Sequence, residues 1–573
     1  MFRASYLLII VICIAPVVPG LLGVILSSLG YIPPVGLHHF SLDGYIAILQ
    51  WSGVGQSLLL SIGSALISTY LAAAICFVIL QSLWHSRHWS KVENALSPLL
   101  AMPHVAFAIG FAFLFSPSGM TDRLLYHLFG TSFMGDGASL LVRNPYAVGL
   151  TLALALKEVP FLLLMSIPIL QQLNIDKLQQ AAASLGYSQP QLWLKVIFPQ
   201  WLNKLRFALF AVIAYGVSVV DLALILGPNN PPTFAVLVWQ WFSDPNLALI
   251  PRAAAGAVLL FILASAMLLI VLFIEKCSTR HYKRWQYSGR YALSLPGKSL
   301  FLFIITLSLL MLPLMVVWSF AQRWRFPDLW PSQFSTRFWD NEWLNIAPTI
   351  YQSVQLALFS TVITLVLSLL AHEYKLKYQR HLPSYLIALP MLIPQLSLLF
   401  GMQIATLFLA SDQYWLWVTW SHVFFAFPFV YLALDGPWKS YNQNLTKAAL
   451  SLGKTPWQVF WQIKTPQLLP AIVYAAAVGM SVSLAQYLPT LMLGAGRIAT
   501  ITTEAVALSS GFDRRVTAIY AIWQALLPLI FFTLAIVISR LQTHRRTMNP
   551  IVKKTARKEA ITHDVLPRKP RHP

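Results

Sequence analysis

Four polar side chains stand inside otherwise apolar stretches: Lys157 and Glu158 in ALKEVPFLLL, Asp221 in GVSVVDLALILGP, and Gln486 in GMSVSLAQYLPTLMLGAG. A charge placed inside a bilayer costs about 2.5–3.5 kcal/mol on insertion scales, so such groups face a partner or a polar path. Two chemistries are open. The four can line a pathway and contact a polar solute. Alternatively, Lys157 and Asp221 pair between helices and pack the protein. Neighbours in a helix point about 100° apart, so Lys157 and Glu158 need not pair with each other. Catalysis inside the membrane would want clustered His or carboxylates with ligand-like spacing, and no such cluster is present. His38 and His39 are merely adjacent, and Cys13, Cys76 and Cys277 have neither disulfide nor zinc spacing. No catalytic residue, metal or cofactor is expected. Two Gly-Lys-Ser/Thr triplets, at 297–299 and 453–455, lack the earlier glycine of a phosphate-binding loop, since Ala292 and Ala448 stand there. Any nucleotide-driven work must therefore come from another chain.

The elements that position these groups follow from composition. The chain is 57% hydrophobic and only 10% charged, far from the roughly one-quarter charged residues of soluble domains. Apolar stretches of about 20 residues, enough to cross the hydrocarbon, recur near 5–29, 57–83, 95–116, 146–171, 205–227, 253–274, 300–320, 350–371, 385–410, 415–436, 469–493 and 516–539. These twelve predict an all-α polytopic membrane protein. The first, preceded by Arg3, has no small-residue cleavage site and reads as an uncleaved anchor. The net charge of +21 does not point to nucleic acid. Roughly three-quarters of the 40 Lys and Arg fall on the side of the amino terminus and every second loop, the sorting of the positive-inside rule. That side is the cytoplasm, and both termini are expected there.

The chain also repeats itself. QSLLLSIGSALIS at 56–68 resembles QSVQLALFSTVIT at 352–364, and Pro103 and Gly110 match Pro394 and Gly401. QAAASLGYSQPQLWLKVIFPQ at 180–200 matches KAALSLGKTPWQVFWQIKTPQ at 447–467. An even number of spans between partners makes the repeat parallel. We therefore expect two six-span modules, 1–275 and 300–545, joined by a cytoplasmic linker at 276–299 and followed by a basic, disordered tail at 546–573. The stretch from Gly110 to Gly186 exceeds its counterpart by about 24 residues, which places an insertion at 116–145.

Each repeated paragraph, within loops at about 173–204 and 438–468, reads as a helix-turn-helix elbow. Gly186 and Gly453 suit a left-handed helix end. Ser188 and Thr455 suit N-caps, with Pro190 and Pro456 in the first turn. The second helix is expected to end near Pro199 or Pro466. Its apolar face, with Leu192, Trp193 and Trp461, suits a partner's groove; a helix lying on the inner leaflet is the other reading.

These paragraphs resemble the coupling-loop signature of binding-protein-dependent ABC importer permeases. Ala181, Ala182, Gly186, Val196 and Pro199 match or nearly match it, as do Ala448, Ala449, Gly453, Ile463 and Pro466. The signature's leading Glu is Gln180 in one copy and Lys447 in the other. The whole chain is similar to the fused two-module permeases of thiamine and ferric-ion importers. That resemblance implies a type I importer fold in a bacterial inner membrane. It also implies an ATPase pair on the coupling helices, a periplasmic binding protein on the outer face, and a small-molecule solute passing between the halves. An ion-coupled secondary transporter with two parallel six-helix halves is the alternative.

Overall fold

The computed structural model describes residues 7–12, 17–84, 86–130, 139–287, 291, 293–378, 384–409, 412–511 and 513–548. Arg3, Cys13, parts of the linker and of the expected insertion, and the basic tail beyond 548 lie outside them. The first half runs α1 (Val17–Ser28), α2 (Asp43–Leu49), α3 (Val54–Leu83), α4 (Trp89–Ala101), α5 (His104–Phe115) and α6 (Met120–Phe129). It continues with α7 (Val148–Leu173), α8 (Ile175–Ser184), α9 (Gln189–Ser218), α10 (Asp221–Leu226), α11 (Phe234–Phe242) and α12 (Ile250–Tyr287). The second half has α13 (Gly297–Phe320), β1 (Ala321–Arg323), β2 (Gln333–Phe334), α14 (Arg337–Tyr378), α15 (Ser384–Leu392) and α16 (Gln395–Phe408). It ends with α17 (Tyr414–Ser440), α18 (Gln443–Ser451), α19 (Pro456–Leu484), α20 (Leu488–Leu493), α21 (Ile501–Ser509) and α22 (Arg514–Met548).

Among the described residues, eleven helices are long and apolar enough to cross a membrane, against the twelve expected. The difference is 385–410, which breaks before Pro394 into α15 and α16. The matching stretch at 95–116 breaks before Pro103 into α4 and α5. Proline has no N–H to continue a helix, but it sits well at a helix start.

Both halves use the same packing. The helices α3, α7 and α9 touch one another pairwise, as do α14, α17 and α19. Lipid tails are as apolar as leucine, so close backbone approach rather than water exclusion holds such helices together. The buried face of α3 accordingly carries Ser57, Ser61, Ser64, Ala65, Ser68, Ala72 and Cys76. A Cβ on Gly216 of α9 would lie 3.2 Å from the Ala65 Cα, and one on Gly479 of α19 2.9 Å from the Thr361 side chain. Ala65 and Thr361 are equivalent in the repeat register, so each half brings a glycine of its fifth span onto the same place of its second span.

The first helix of each half crosses onto the other half. Helix α1 packs on α16 as well as α12, and α13 packs on α5 as well as α22. Gly110 faces Met311 of α13, while Gly401 meets the backbone of α1 at Gly20 and Gly23. The repeated glycines thus mark the two crossings. One continuous core joins the halves, including Phe111, Met311, Leu398 and Phe424.

The described part of the insertion includes helix α6. Its buried Arg123 donates to the backbone oxygens of Ser118 (3.0 Å), Arg325 (2.8 Å) and Asp328 (2.5 Å), and its guanidinium lies 4.9 Å from the Trp324 ring. The insertion is therefore bolted to the loop between β1 and β2 of the second half.

Candidate coupling elbows and polar pathway

The elbows are built by the backbone. Gly186 has φ +76° and Gly453 φ +83°, a region side chains disfavour. Tyr187 N–H donates to Ala182 O (2.9 Å) and Gly186 N–H to Ala183 O (3.0 Å). Lys454 N–H donates to Ala449 O (3.2 Å) and Gly453 N–H to Leu450 O (3.0 Å). Each pair is the double hydrogen bond of a Schellman end. The next helix starts at the expected caps: Ser188 N–H donates to Gln191 Oε1 (2.8 Å), and Thr455 N–H to Gln458 Oε1 (3.0 Å).

The second helices do not end at Pro199 and Pro466. They continue as α9 and α19, through π-helical turns at Trp193–Ile197 and Phe460–Lys464. A proline ring clashes with the carbonyl four residues back and offers it no donor. A widened turn just before the proline relieves this. Lys195 O, freed by Pro199, accepts from Gln286 Nε2 of α12 at 2.9 Å. Pro466 O, freed by Pro470, accepts from Gln542 Nε2 of α22. The sixth span of each half thus clasps its own elbow with a glutamine.

In the membrane interior the four expected residues part company. Lys157 does not pair with Asp221: its Nζ donates to Leu99 O at 2.8 Å, the carbonyl that Pro103 leaves without a donor. Glu158 Oε1 lies 3.3 Å from His104 Nε2, and the His104 ring packs 5.2 Å from Tyr215. Asp221 opens α10, accepts the Leu222 N–H at 3.0 Å, and lies within electrostatic reach of His104, Tyr215 and Tyr487. Tyr487 belongs to the second half, so both halves meet at this cluster. Gln486 Nε2 donates to His422 O at 3.4 Å, and its Oε1 is buried without a partner. The second half is otherwise neutral here. His422 bonds Ser483 (2.8 Å) and Thr490 (2.9 Å) through its two ring nitrogens. Helix α7 runs unbroken through Pro160, whereas the fifth span breaks at Val219–Val220, just before Asp221. The fifth span of the second half breaks at the same place, 485–487. Beyond each break a buried helix, α11 or α21, re-enters the protein. Ser61 and Ser353 accept the N–H groups of Phe234 and Ile501 there, both at 2.8 Å. Among the described residues, no three His, Cys, Asp or Glu side chains group to hold a metal ion.

Known proteins decide the family. The chain is 32% identical over 529 residues to the inner membrane ABC transporter permease protein YnjC of Escherichia coli K12, covering 92% of this chain and 94% of that protein. The chain belongs to the ABC transporter permeases. Shorter likenesses bear on the same class. One is to the probable sulfate transport system permease protein cysT of Chlorokybus atmophyticus, 38% identical over 65 residues, 11% of this chain and 23% of that one. Another is to a spermidine/putrescine transport system permease PotC homolog of Mycoplasma genitalium, 31% identical over 91 residues, 16% of this chain and 32% of that one. No family model matches. The permease is thus a multi-pass inner-membrane protein of the ABC importer type, and nothing in these likenesses supports an ion-coupled carrier.

The permease exposes a different set of apolar side chains from the one expected at its elbows. Leu192 (2% exposed) and Trp193 (4%) are packed inward, with Phe77 and Trp201 in the same apolar cluster. Trp461 is exposed, at 51%. Leu185 (68%), Leu452 (82%) and Trp457 (69%) are exposed and were not anticipated. The signal for the leucines was available, because each stands immediately before a left-handed glycine in the repeat. Gln180, Ala181, Lys447 and Ala448 are exposed, Ala182, Val196, Ile463, Pro199 and Pro466 half-buried, and Ala449 buried. His104, Tyr215 and Tyr487 were also missed in the interior, although His104 directly follows a repeated proline.

Behind the first elbow, Trp201 Nε1 donates to Ser166 Oγ at 2.8 Å in a fully buried position. Replacing Ser166 by Ala strands that indole N–H at a cost of about 1–3 kcal/mol. The purified permease is expected to melt at lower temperature, and an unchanged melting curve would remove this bond from the account.

Proposed function

We propose that this permease translocates a small solute delivered by a periplasmic binding protein, and that a pair of separate ATP-hydrolysing subunits drives it from the two elbows. The observation that carries the reading is the pair of matching Schellman elbows, each presenting an exposed leucine, Leu185 or Leu452, ahead of its glycine. Two rigid projections in equivalent places suit a two-fold motor. In this reading the modules are 1–275 and 300–545, and the coupling loops span about 173–204 and 438–468. Gln180, Ala181, Ala182, Gly186, Val196 and Pro199 shape the first loop; Lys447, Ala448, Ala449, Gly453, Ile463 and Pro466 shape the second. The elbows, the linker and both termini face the cytoplasm, in keeping with the sorting of basic residues.

The solute path runs between the halves past Glu158, Asp221, His104, Tyr215 and Tyr487. Lys157 donates to the neutral Leu99 carbonyl and keeps its charge within electrostatic reach of Glu158, so these two neighbours offset each other. The path therefore suits a small polar solute.

The test is reconstitution of the permease with the ATPase and binding protein that co-purify with it, with a photocrosslinker at Leu185 or Trp457. The expected result is ATP-dependent uptake and capture of the ATPase at both positions. Uptake by the permease alone, driven by an ion gradient, overturns the proposal.

A further inference from the structure

The repeat register sets two residues in equivalent places on the second spans. The match of Gln56 with Gln352 puts Phe77 of α3 opposite Glu373 of α14. Each contacts the π-helical segment of its own elbow, through opposite chemistry. Phe77 lies in an aromatic stack, with ring centroids 6.0 Å from Trp193, 4.9 Å from Phe198 and 5.4 Å from Trp201. Glu373 Oε1 binds Lys464 Nζ at 2.5 Å and accepts from Trp438 Nε1 at 3.0 Å. The Lys464 ammonium also lies 5.6 Å from the Trp438 ring and 5.1 Å from that of Tyr441, and its side chain is buried. In the elbow register, Lys464 replaces Ile197. Both positions therefore differ between halves: Phe77 and Ile197, each in apolar packing, stand where the second half pairs Glu373 with Lys464.

We infer that Glu373 is a positioning residue that ties the second elbow to α14 through Lys464, and that the two elbows transmit motion unequally because Phe77 occupies the same place in the first. The hydrophobic attraction between packed apolar side chains is non-directional and resists sliding less than a directed bond does. A partly buried, hydrogen-bonded ion pair holds one geometry. A push on the second elbow moves α14 with it, whereas a push on the first lets Trp193 and Phe198 shift across Phe77.

This inference rests on the proposed ATPase docking for its functional part but not for its structural part, so two measurements separate them. The first uses the permease alone. In Glu373→Gln, amide exchange is expected to rise across 443–468 and to stay unchanged across 175–204. The second uses the reconstituted complex. Glu373→Gln is expected to raise the ATP hydrolysed per solute taken up by about five- to tenfold, within the usual range of coupling between sites. The charge-swapped double variant Glu373→Lys with Lys464→Glu is expected to recover most of the wild-type ratio. Should Glu373→Gln fail to accumulate, Glu373→Asp serves as the milder variant, with the same signs. Unchanged exchange at 443–468, or an ATP-to-solute ratio within twofold of wild type, overturns the inference. Altered exchange in a complex whose wild-type form shows no ATP-driven uptake strikes the functional proposal instead and leaves the tie in place.

Discussion

Gly453→Val is expected to abolish ATP-driven uptake while the chain still inserts, whereas Gly453→Asn is expected to keep most of it. A Cβ on Gly453 meets nothing within 4 Å, and the position is exposed. The penalty is conformational. At φ +83° an L-residue pays about 1–2 kcal/mol, and a β-branched one is a true outlier. Asparagine tolerates this region. Valine instead pushes the chain out of the left-handed state. The two Schellman bonds to Ala449 and Leu450 then break, and α19 leaves α18 in a new direction. Because the site is solvent-exposed, the membrane body has no reason to unfold. Gly186→Val is expected to act likewise through Ala182 and Ala183. The measurement is ATP-dependent uptake in proteoliposomes beside the yield of monodisperse permease. Full uptake by the valine variant would sink the elbow reading, and so would equal loss in the asparagine variant.

The largest structural effect is expected from a single methyl group at the crossing of α1 and α16. In Gly401→Ala the new Cβ would stand 1.5 Å from Gly20 O and 2.4 Å from its carbonyl carbon. Both clashing atoms are backbone, so no rotamer change relieves them, and the helices must separate. Overpacking commonly costs about 1–3 kcal/mol, and a backbone clash this close belongs at or above the upper end. The expected result is loss of a stable detergent-solubilised monomer and rapid proteolysis of α1. Gly63→Ala, on α3 with nothing within 4 Å of its new Cβ, is the matched control and is expected to behave as wild type. A stable Gly401→Ala protein would show that α1 does not cross there.

Much of this architecture could be read from residue types. Long apolar runs announced the spans, and the repeat announced matching modules. Gly186, Gly453, Ser188 and Thr455 announced their own backbone geometry, because positive φ and capping are local properties. What local reading missed was tertiary. Pro199 and Pro466 looked like helix ends, but a widened turn carries the chain past each, and at Pro199 a glutamine from a distant helix takes the freed carbonyl. Trp193 looked like a partner contact because an aromatic residue in a loop is conspicuous. Only the fold reveals that Phe77, 116 residues earlier in the chain, lies beside it. Lys157 and Asp221 looked like a pair because their charges are opposite. A broken helix elsewhere supplied Lys157 with a carbonyl instead. In each case the deciding partner lies far away in sequence, where spacing carries no information.

The crossing of α1 onto α16 also has a consequence for biosynthesis. Gly20 enters the membrane early, yet the surface built around Gly401 is translated some 380 residues later. At ribosomal rates of about 5–20 residues per second, that delay is on the order of tens of seconds. Throughout it the nascent α1 lies against lipid or an insertion factor with its glycine face uncovered. Closing the crossing of α1 and α16 is therefore a late step in the permease's assembly.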